Sequence, residues 1–135
     1  PGIQALPGFA QVVNQDIGGN RMPATTSLDY NIALNHSIPT AGGSIDTRLT
    51  YAYKGDIYVD LFNTERGLIP ERTNFDLVAN YSPNDGDWYA GFYAQNLANK
   101  RYVLSHDRGS EVQGGVLNAT LAAPRTYGLS FGINF

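Results

Sequence analysis

The chain has 135 residues, 12 acidic and 9 basic side chains and a formal charge of −3, which describes at most one ordinary domain. There is no basic excess for DNA or RNA, so no nucleic-acid partner is expected. The absence of cysteine and the presence of only two histidines exclude disulfides, thiolate chemistry and cysteine-based or histidine-rich metal sites. No run of about 18 apolar residues occurs, which excludes a transmembrane helix.

The first 24 residues are rich in Gly, Pro, Asn and Gln, and we interpret them as a loop. Because the first residue is Pro1 and no charged-then-apolar leader follows, we expect a processed chain or a piece of a longer one. Short strands near residues 11–13 and 57–59 would extend the alternation of apolar and polar residues that later segments show.

Five later segments alternate apolar and polar residues, as strands with two different faces do. The predicted strands cover about 25–36, 43–54, 73–82, 86–97 and 125–135. Their apolar faces hold 22 residues and no charge, whereas the opposite faces carry charges, amides, hydroxyls and glycines. Strands of this length match the roughly 9–11 residues that cross a bilayer at a tilt.

The connections between these segments alternate in length. Turns at residues 39–43 and 82–86 are short and contain Pro, Gly, Asn and Asp, which suit tight turns. The segments at 55–73 and 97–125 are long. Short periplasmic turns and long external loops are typical of outer-membrane barrels.

A soluble antiparallel β-sandwich would also alternate apolar and polar residues. Two features favour a membrane barrel. Aromatic residues of the apolar face fall near both strand ends, as interfacial girdles require: they are Tyr81, Trp88 and Phe135 at the short-turn end and Tyr51, Tyr53, Phe75 and Tyr127 at the long-loop end. In addition, few Lys or Glu residues occupy the polar face.

Five strands cannot close a transmembrane barrel, since single-chain barrels begin at eight strands and an open edge in lipid is costly. We therefore expect this chain to pair with further strands of the same parent protein or with other chains.

Three segments carry a resemblance to a known family. Residues 123–135, APRTYGLSFGINF, resemble the final strand of TonB-dependent outer-membrane receptors, which typically has a Pro-Arg-Thr-Tyr-Gly start and a terminal Phe. Residues 95–102, QNLANKRY, are similar to the family's Asn-Leu-x-(Asp/Asn)-Lys-x-Tyr segment. Residues 19–23, GNRMP, are similar to its Gly-x-Arg-(Leu/Met)-Pro segment.

The resemblance implies the C-terminal portion of a 22-stranded barrel of the kind that is closed by a plug. The plug and earlier strands are absent from residues 1–135. It implies an outer-membrane parent that imports a siderophore, vitamin or oligosaccharide, with the TonB complex acting through the plug. It also implies that the barrel-assembly machinery recognises the final strand, and strand addition gives this a physical basis: here that strand maps to Tyr127, Leu129, Phe131, Ile133 and Phe135.

Other residues are candidates for contact with solute. The charged lumen-facing candidates, which could line a solute path or simply form a ladder of cross-strand partners, are Asp29, Asp46, Arg48, Lys54 and Asp76. Tyr89 and Tyr93 on the same face could stack on a sugar or an aromatic siderophore, or pack against the plug and fill the lumen. In the second long loop, His106, Asp107 and Arg108 could contact a ligand or be solvated.

No catalytic set emerges, because a Ser or Thr nucleophile would need a nearby base and neither histidine has such a context. We therefore expect no enzyme activity and no cofactor. The leading interpretation is part of an active outer-membrane importer, with lipid, the remaining barrel strands and a small-molecule nutrient as partners. A passive porin-type channel and a soluble β-sandwich binding module are the alternatives.

Overall fold

The computed structural model describes residues 16–108 and 117–133 of the chain. These residues form nine strands and one 3-10 helix, Glu65–Gly67. The strands are β1 Asp29–Thr40, β2 Gly43–Lys54, β3 Ile57–Tyr58, β4 Leu68–Ile69, β5 Arg72–Pro83, β6 Trp88–Gln95, β7 Val103–Arg108, β8 Leu117–Leu121 and β9 Thr126–Ile133.

Five strands build one sheet in the order β1-β2-β5-β6-β9, and every neighbouring pair is antiparallel. These five strands therefore lie in the sheet in the same order as in the chain, as in an up-and-down meander. The fold is all-β, as the alternation predicts. The first strand begins at Asp29 and ends at Thr40, later at both ends than the predicted 25–36, and Phe135 lies outside the described residues.

The long connections contain hairpins of their own. β3 pairs with β4, and β7 pairs with β8 with an irregularity between Val103 and Ser105. The sequence analysis suggested a strand near residues 57–59, and β3 lies there. It treated residues 97–125 as a loop, which is wrong for β7 and β8, because strands this short carry too little alternation to stand out.

The cross-strand register gives the sheet two chemically distinct faces. One row joins Leu34, Leu49, Leu77, Ala94 and Tyr127 across all five strands. We call this side, which also carries the predicted aromatic residues of β2, β5, β6 and β9, the apolar face. The next row carries Asn35, Arg48, Val78, Tyr93 and Gly128 and belongs to the polar face.

The sheet has no hydrophobic core of the kind a sandwich needs. Among the described residues, only Ile69 at 2% exposure and Ala94 at 4% are buried hydrophobic side chains. Leu129, by contrast, is 83% exposed on the apolar face. The apolar residues thus face outward from a single layer, which is the arrangement that a lipid-facing sheet requires and a two-layered globule does not have.

The two tight turns lie side by side at what we call the turn end of the sheet. The Tyr81 hydroxyl and the Asn84 backbone N–H each donate to the Gly42 carbonyl, both at 3.0 Å. Gly86 has φ +73°, which glycine adopts without strain. The opposite end, where β2 leads to β5 and β6 to β9, is the loop end.

Candidate functional site

The charged residues of the polar face are concentrated at the loop end. Asp29, Lys54 and Arg72 lie in one row across β1, β2 and β5. The Lys54 ammonium is 3.6 Å from Asp29 Oδ2, so these two predicted lumen-facing residues form a cross-strand ion pair. Arg72 is the other cross-strand neighbour of Lys54, which places two cations next to each other.

Asp46 and Arg48 lie nearer the turn end, beside an open groove of about 400 Å³ that Asn35, Ser37 and Asn80 also line. Within residues 16–108 and 117–133, neither charged side chain makes a hydrogen bond or an ion pair. Among the described residues, the charged side chains of the polar face therefore do not all have a hydrogen-bonding or ionic partner.

Asp76 binds amide groups. Its carboxylate accepts from Asn74 Nδ2, with both oxygens at 2.9 Å, and from the Asn96 backbone N–H at 2.9 Å. These bonds satisfy the charge without a cation. Asp76 thus connects the loop-end part of β5 to the residues that directly follow β6.

Asn96 is the buried polar residue at this position, with 5% exposure. Its Nδ2 donates to the carbonyls of Lys100 and Ala123, both at 3.0 Å, and its Oδ1 accepts from the Lys100 backbone N–H at 3.1 Å. One side chain therefore joins the end of β6 to the segment just before β9.

The backbone conformation of residues 96–99 explains why asparagine occurs at two of these positions. Asn96 and Asn99 have φ of +51° and +49°, a region that Asn tolerates better than most residues. Asn99 Oδ1 accepts from the Arg125 backbone N–H at 3.0 Å. The sequence analysis noticed the motif but not this bonding role, which the two asparagines spaced three apart could have suggested.

A second cluster holds the segment around residues 19–23 against the first long loop. Arg21 donates two hydrogen bonds to the Asp56 carboxylate, Nη1–Oδ1 at 3.1 Å and Nη2–Oδ2 at 2.6 Å. Its guanidinium also lies 4.8 Å from the centre of the Tyr58 ring. Asn63 bonds the Arg21 backbone at both its N–H and its carbonyl.

The Arg21–Asp56 pair shifts the pKa of each group in the direction that favours its charged form. The hydrogen bonds from Arg21, opposed by partial burial, lower the pKa of the Asp56 carboxyl below its usual range. The same bonds raise the pKa of Arg21 further above neutrality. The pair is therefore charged at any pH near neutral.

Tyr89 and Tyr93 lie on the polar face, as predicted, but against glycines of the neighbouring strand. Tyr93 is opposite Gly128 and Tyr89 is opposite Gly132. A Cβ at Gly128 would come 2.7 Å from the Tyr93 ring, so the ring occupies the space that a side chain would need. Aromatic rings over glycine stabilise sheets in this way, and because Tyr89 and Tyr93 keep 42% and 41% of their surface exposed, their contact with a solute stays a prediction.

The candidates in the second long loop lie on a strand. His106, Asp107 and Arg108 belong to β7 and face Ala119, Asn118 and Leu117 of β8. His106 Nδ1 is buried without a hydrogen-bond partner in the described part of the chain. The second long loop is therefore a paired hairpin at these three residues, and their contact with a ligand stays a prediction.

The final strand presents its apolar side chains freely. Tyr127, Leu129, Phe131 and Ile133 are all exposed, and among the described strands β9 has a neighbour on one side only. Phe135, the last residue of the predicted assembly signal, lies outside the described residues. β1 is the other edge of the sheet.

Residues 16–108 and 117–133 contain no group of three His, Cys, Asp or Glu side chains that could hold a metal ion. They contain no helix that is long and apolar enough to span a membrane.

Comparison with solved structures finds a similar fold in the ferric yersiniabactin uptake receptor FyuA from Yersinia pestis, with a TM-score of 0.75 and 22% sequence identity. The match covers 88% of this chain and 18% of that receptor, so the chain spans less than a fifth of its length. No family model and no curated protein matches the chain. At this identity the likeness shows a shared fold and leaves the ligand open.

Proposed function

We propose that the chain is the C-terminal portion of the barrel of a TonB-dependent outer-membrane receptor, whose whole protein imports a scarce nutrient such as a siderophore, a vitamin or an oligosaccharide. The observation that carries the proposal is the apolar face, which runs across all five strands, has large exposed hydrophobic side chains on β1, β2, β6 and β9, and is not covered by a second layer within residues 16–108 and 117–133. Hydrocarbon is the surrounding that stabilises such a face, since water would drive it to aggregate.

The two edges of the sheet support a place within a larger barrel. Within residues 16–108 and 117–133, β1 and β9 are each paired on one side only, and lipid offers no hydrogen bonds to the backbone groups of the other side. The remaining strands of the parent would pair with both edges. In this proposal the barrel-assembly machinery captures β9, whose exposed apolar alternation suits strand addition, and the polar face lies towards a plug domain that contacts the TonB complex.

Active import is favoured over the passive channel by two lines of support. The three segments that resemble the receptor family occur in the right order, and the fold is shared with a protein described as an uptake receptor. The segments that would capture the nutrient are the two long loop-end connections, which carry the Arg21–Asp56 and Asn96 clusters at their bases. The single-layer sheet gives no support to the soluble sandwich.

The experiment is a growth and uptake comparison on the organism that encodes this chain. Deletion of the gene should abolish growth on at least one ferric chelate, corrinoid or oligosaccharide supplied at limiting concentration. Deletion of the gene for TonB should abolish the same growth, and the tagged protein should fractionate with the outer membrane. Uptake that persists without TonB would favour the passive channel, and recovery in the soluble fraction would contradict both.

A further inference from the structure

The side chain of Lys100 reaches the apolar face at the loop end of the sheet. Its ammonium donates a hydrogen bond to Thr73 Oγ1 at 2.8 Å. Thr73 is opposite Tyr53 and shares the alternation of Phe75 and Leu77, so it belongs to the apolar face. The Lys100 ammonium therefore lies on the side of the sheet assigned to lipid, where the strands end.

The aromatic rings next to this ammonium have the arrangement of an interfacial belt. Tyr30 stacks on Tyr53 with the ring centres 5.3 Å apart, and the rings of Tyr51 and Phe75 are 4.8 Å apart. Amphipathic rings of this kind collect where the hydrocarbon of a membrane meets its headgroups. Because the Lys100 ammonium is bonded in the row of Tyr30 and Tyr53, it lies at the depth of lipid headgroups.

Two asparagine side chains hold a further cation close to Lys100. Asn96 Nδ2 donates to the Lys100 carbonyl and to the segment just before β9, and Asn99 Oδ1 accepts from the Arg125 backbone N–H. Arg125 comes two residues before Tyr127 and continues the alternation that places Tyr127 on the apolar face. Lys100 and Arg125 therefore border the same face, one on each side of the β7–β8 hairpin.

The cations at this border have donors to spare. Lys100, Arg101 and Arg125 are exposed, and none of them forms an ion pair within residues 16–108 and 117–133. Lys100 and Arg101 line an open cavity of about 260 Å³ together with Glu71, whose Oε2 accepts from the Tyr53 hydroxyl at 2.6 Å. Lys100 uses one of its three N–H donors within the chain. Exposed cations that are held close together favour an anion, which accepts strong hydrogen bonds from them.

We propose that Lys100, Arg101 and Arg125 bind the phosphate group of a phosphorylated lipid in the outer leaflet, whose acyl chains lie along the apolar face. A soluble phosphate has the same headgroup chemistry, but these cations border the face assigned to lipid and not the polar face that solutes reach. The bound lipid would fix both ends of the β7–β8 hairpin to the membrane surface. The proposal rests on the membrane assignment of the proposed function and adds a specific lipid partner to it.

The test is titration of the full protein that carries this chain, delipidated in a nonionic detergent, with lipid A that has two phosphate groups. Native mass spectrometry counts the lipid molecules bound at each concentration. We expect Lys100→Gln, Arg101→Gln and Arg125→Gln each to weaken binding about fivefold, because each removes a cation beside the headgroup. Lys100→Arg keeps the charge and should bind lipid A as the wild type does. Arg66→Gln removes an exposed cation of the first long loop, outside the cavity, and should leave binding unchanged.

Two further probes identify the source of the phosphate. Dephosphorylated lipid A should bind about tenfold more weakly, and glycerol 1-phosphate should not compete at concentrations at which lipid A saturates the site. Circular dichroism and thermal unfolding of every variant verify the fold. Equal binding of lipid A with and without phosphate, unchanged binding in the three glutamine variants of the site, an equal loss in Arg66→Gln, or competition by glycerol 1-phosphate would overturn the lipid site. The proposed function would fail by a different result, namely uptake that is independent of TonB or recovery of the protein outside the outer membrane.

Discussion

The carboxylate of Asp76 accepts a hydrogen bond of 2.9 Å from the backbone N–H of Asn96, twenty residues further along the chain. This bond and those of the Asn96 side chain connect β5, β6 and the segment before β9 at one point. The loop end of the sheet is therefore fixed by buried amide bonds, whereas the turn end is fixed by bonds between two turns.

Asn96→Ala should destabilise the protein by about 1–3 kcal/mol, since it leaves buried backbone groups without partners. Unfolding by urea in detergent micelles measures the change. Asn96→Gly serves as the matched variant, because it loses the same side-chain bonds but adopts φ +51° without strain. If Asn96→Ala unfolds at the wild-type urea concentration, the bonds described here carry no stability.

The Arg21–Asp56 pair should make the first long loop sensitive to acid. The folded state lowers the pKa of Asp56, so the ionised form favours folding. The resulting stability is present above the ordinary carboxyl pKa and is lost as the pH falls through the lowered value. Limited proteolysis of the loop from neutral pH down to strong acid should show increasing cleavage.

Asp56→Asn provides the control for this pH effect. The variant keeps the shape of the side chain and cannot titrate, so its loop should be cleaved more readily at neutral pH and show a flatter pH profile. An unchanged acid response in Asp56→Asn would assign the effect to other groups.

Gly128→Ala should be destabilising, by about 0.2–1 kcal/mol as for a lost cross-strand pair, because its Cβ would come 2.7 Å from the far end of the partly exposed Tyr93 ring, which must then move aside. A double-mutant cycle measures this contact. In a Tyr93→Ala background, the same Gly128→Ala change should cost little. Equal costs in the two backgrounds would show that the ring does not occupy this space in the folded protein.

Leu129→Arg should cost about 2–4 kcal/mol if its side chain faces hydrocarbon near the middle of the membrane. Ser130→Arg, one residue further and on the polar face, should cost much less. Reversible unfolding in phospholipid vesicles gives both values. The assignment of faces would be wrong if the two substitutions had the same cost.

The alternation of the sequence predicted where the strands of the main sheet lie and which residues share a face, because period-two patterning depends on what each side of a strand contacts. Leu129, Phe131 and their row partners illustrate this. The hairpins of the long connections were missed or only suggested, since the two-residue β3 and β4 are too short for a pattern to be detected. Their position depends on contacts such as Arg21 with Asp56, which join residues 35 positions apart.

The site was harder to predict than the fold. The sequence analysis placed Lys54 and Asp76 on the polar face together with the other charges, but it gave no sign that Arg72 belongs beside Lys54. That relation depends on the register between β2 and β5. Likewise, the position of Tyr89 and Tyr93 opposite glycines of β9 depends on the register between β6 and β9.

The proposed function requires that one face of this sheet meets hydrocarbon. The most direct test is spin-label accessibility in lipid vesicles, with single cysteines introduced at Leu129, Ser130, Leu34 and Asn35, since the chain itself has no cysteine. The account predicts that labels at Leu129 and Leu34 collide with dissolved oxygen and are shielded from a water-soluble nickel chelate, and that labels at Ser130 and Asn35 are less accessible to oxygen. Labels at Leu129 and Leu34 that are open to the chelate, or shielded from both reagents as in a protein core, would contradict it.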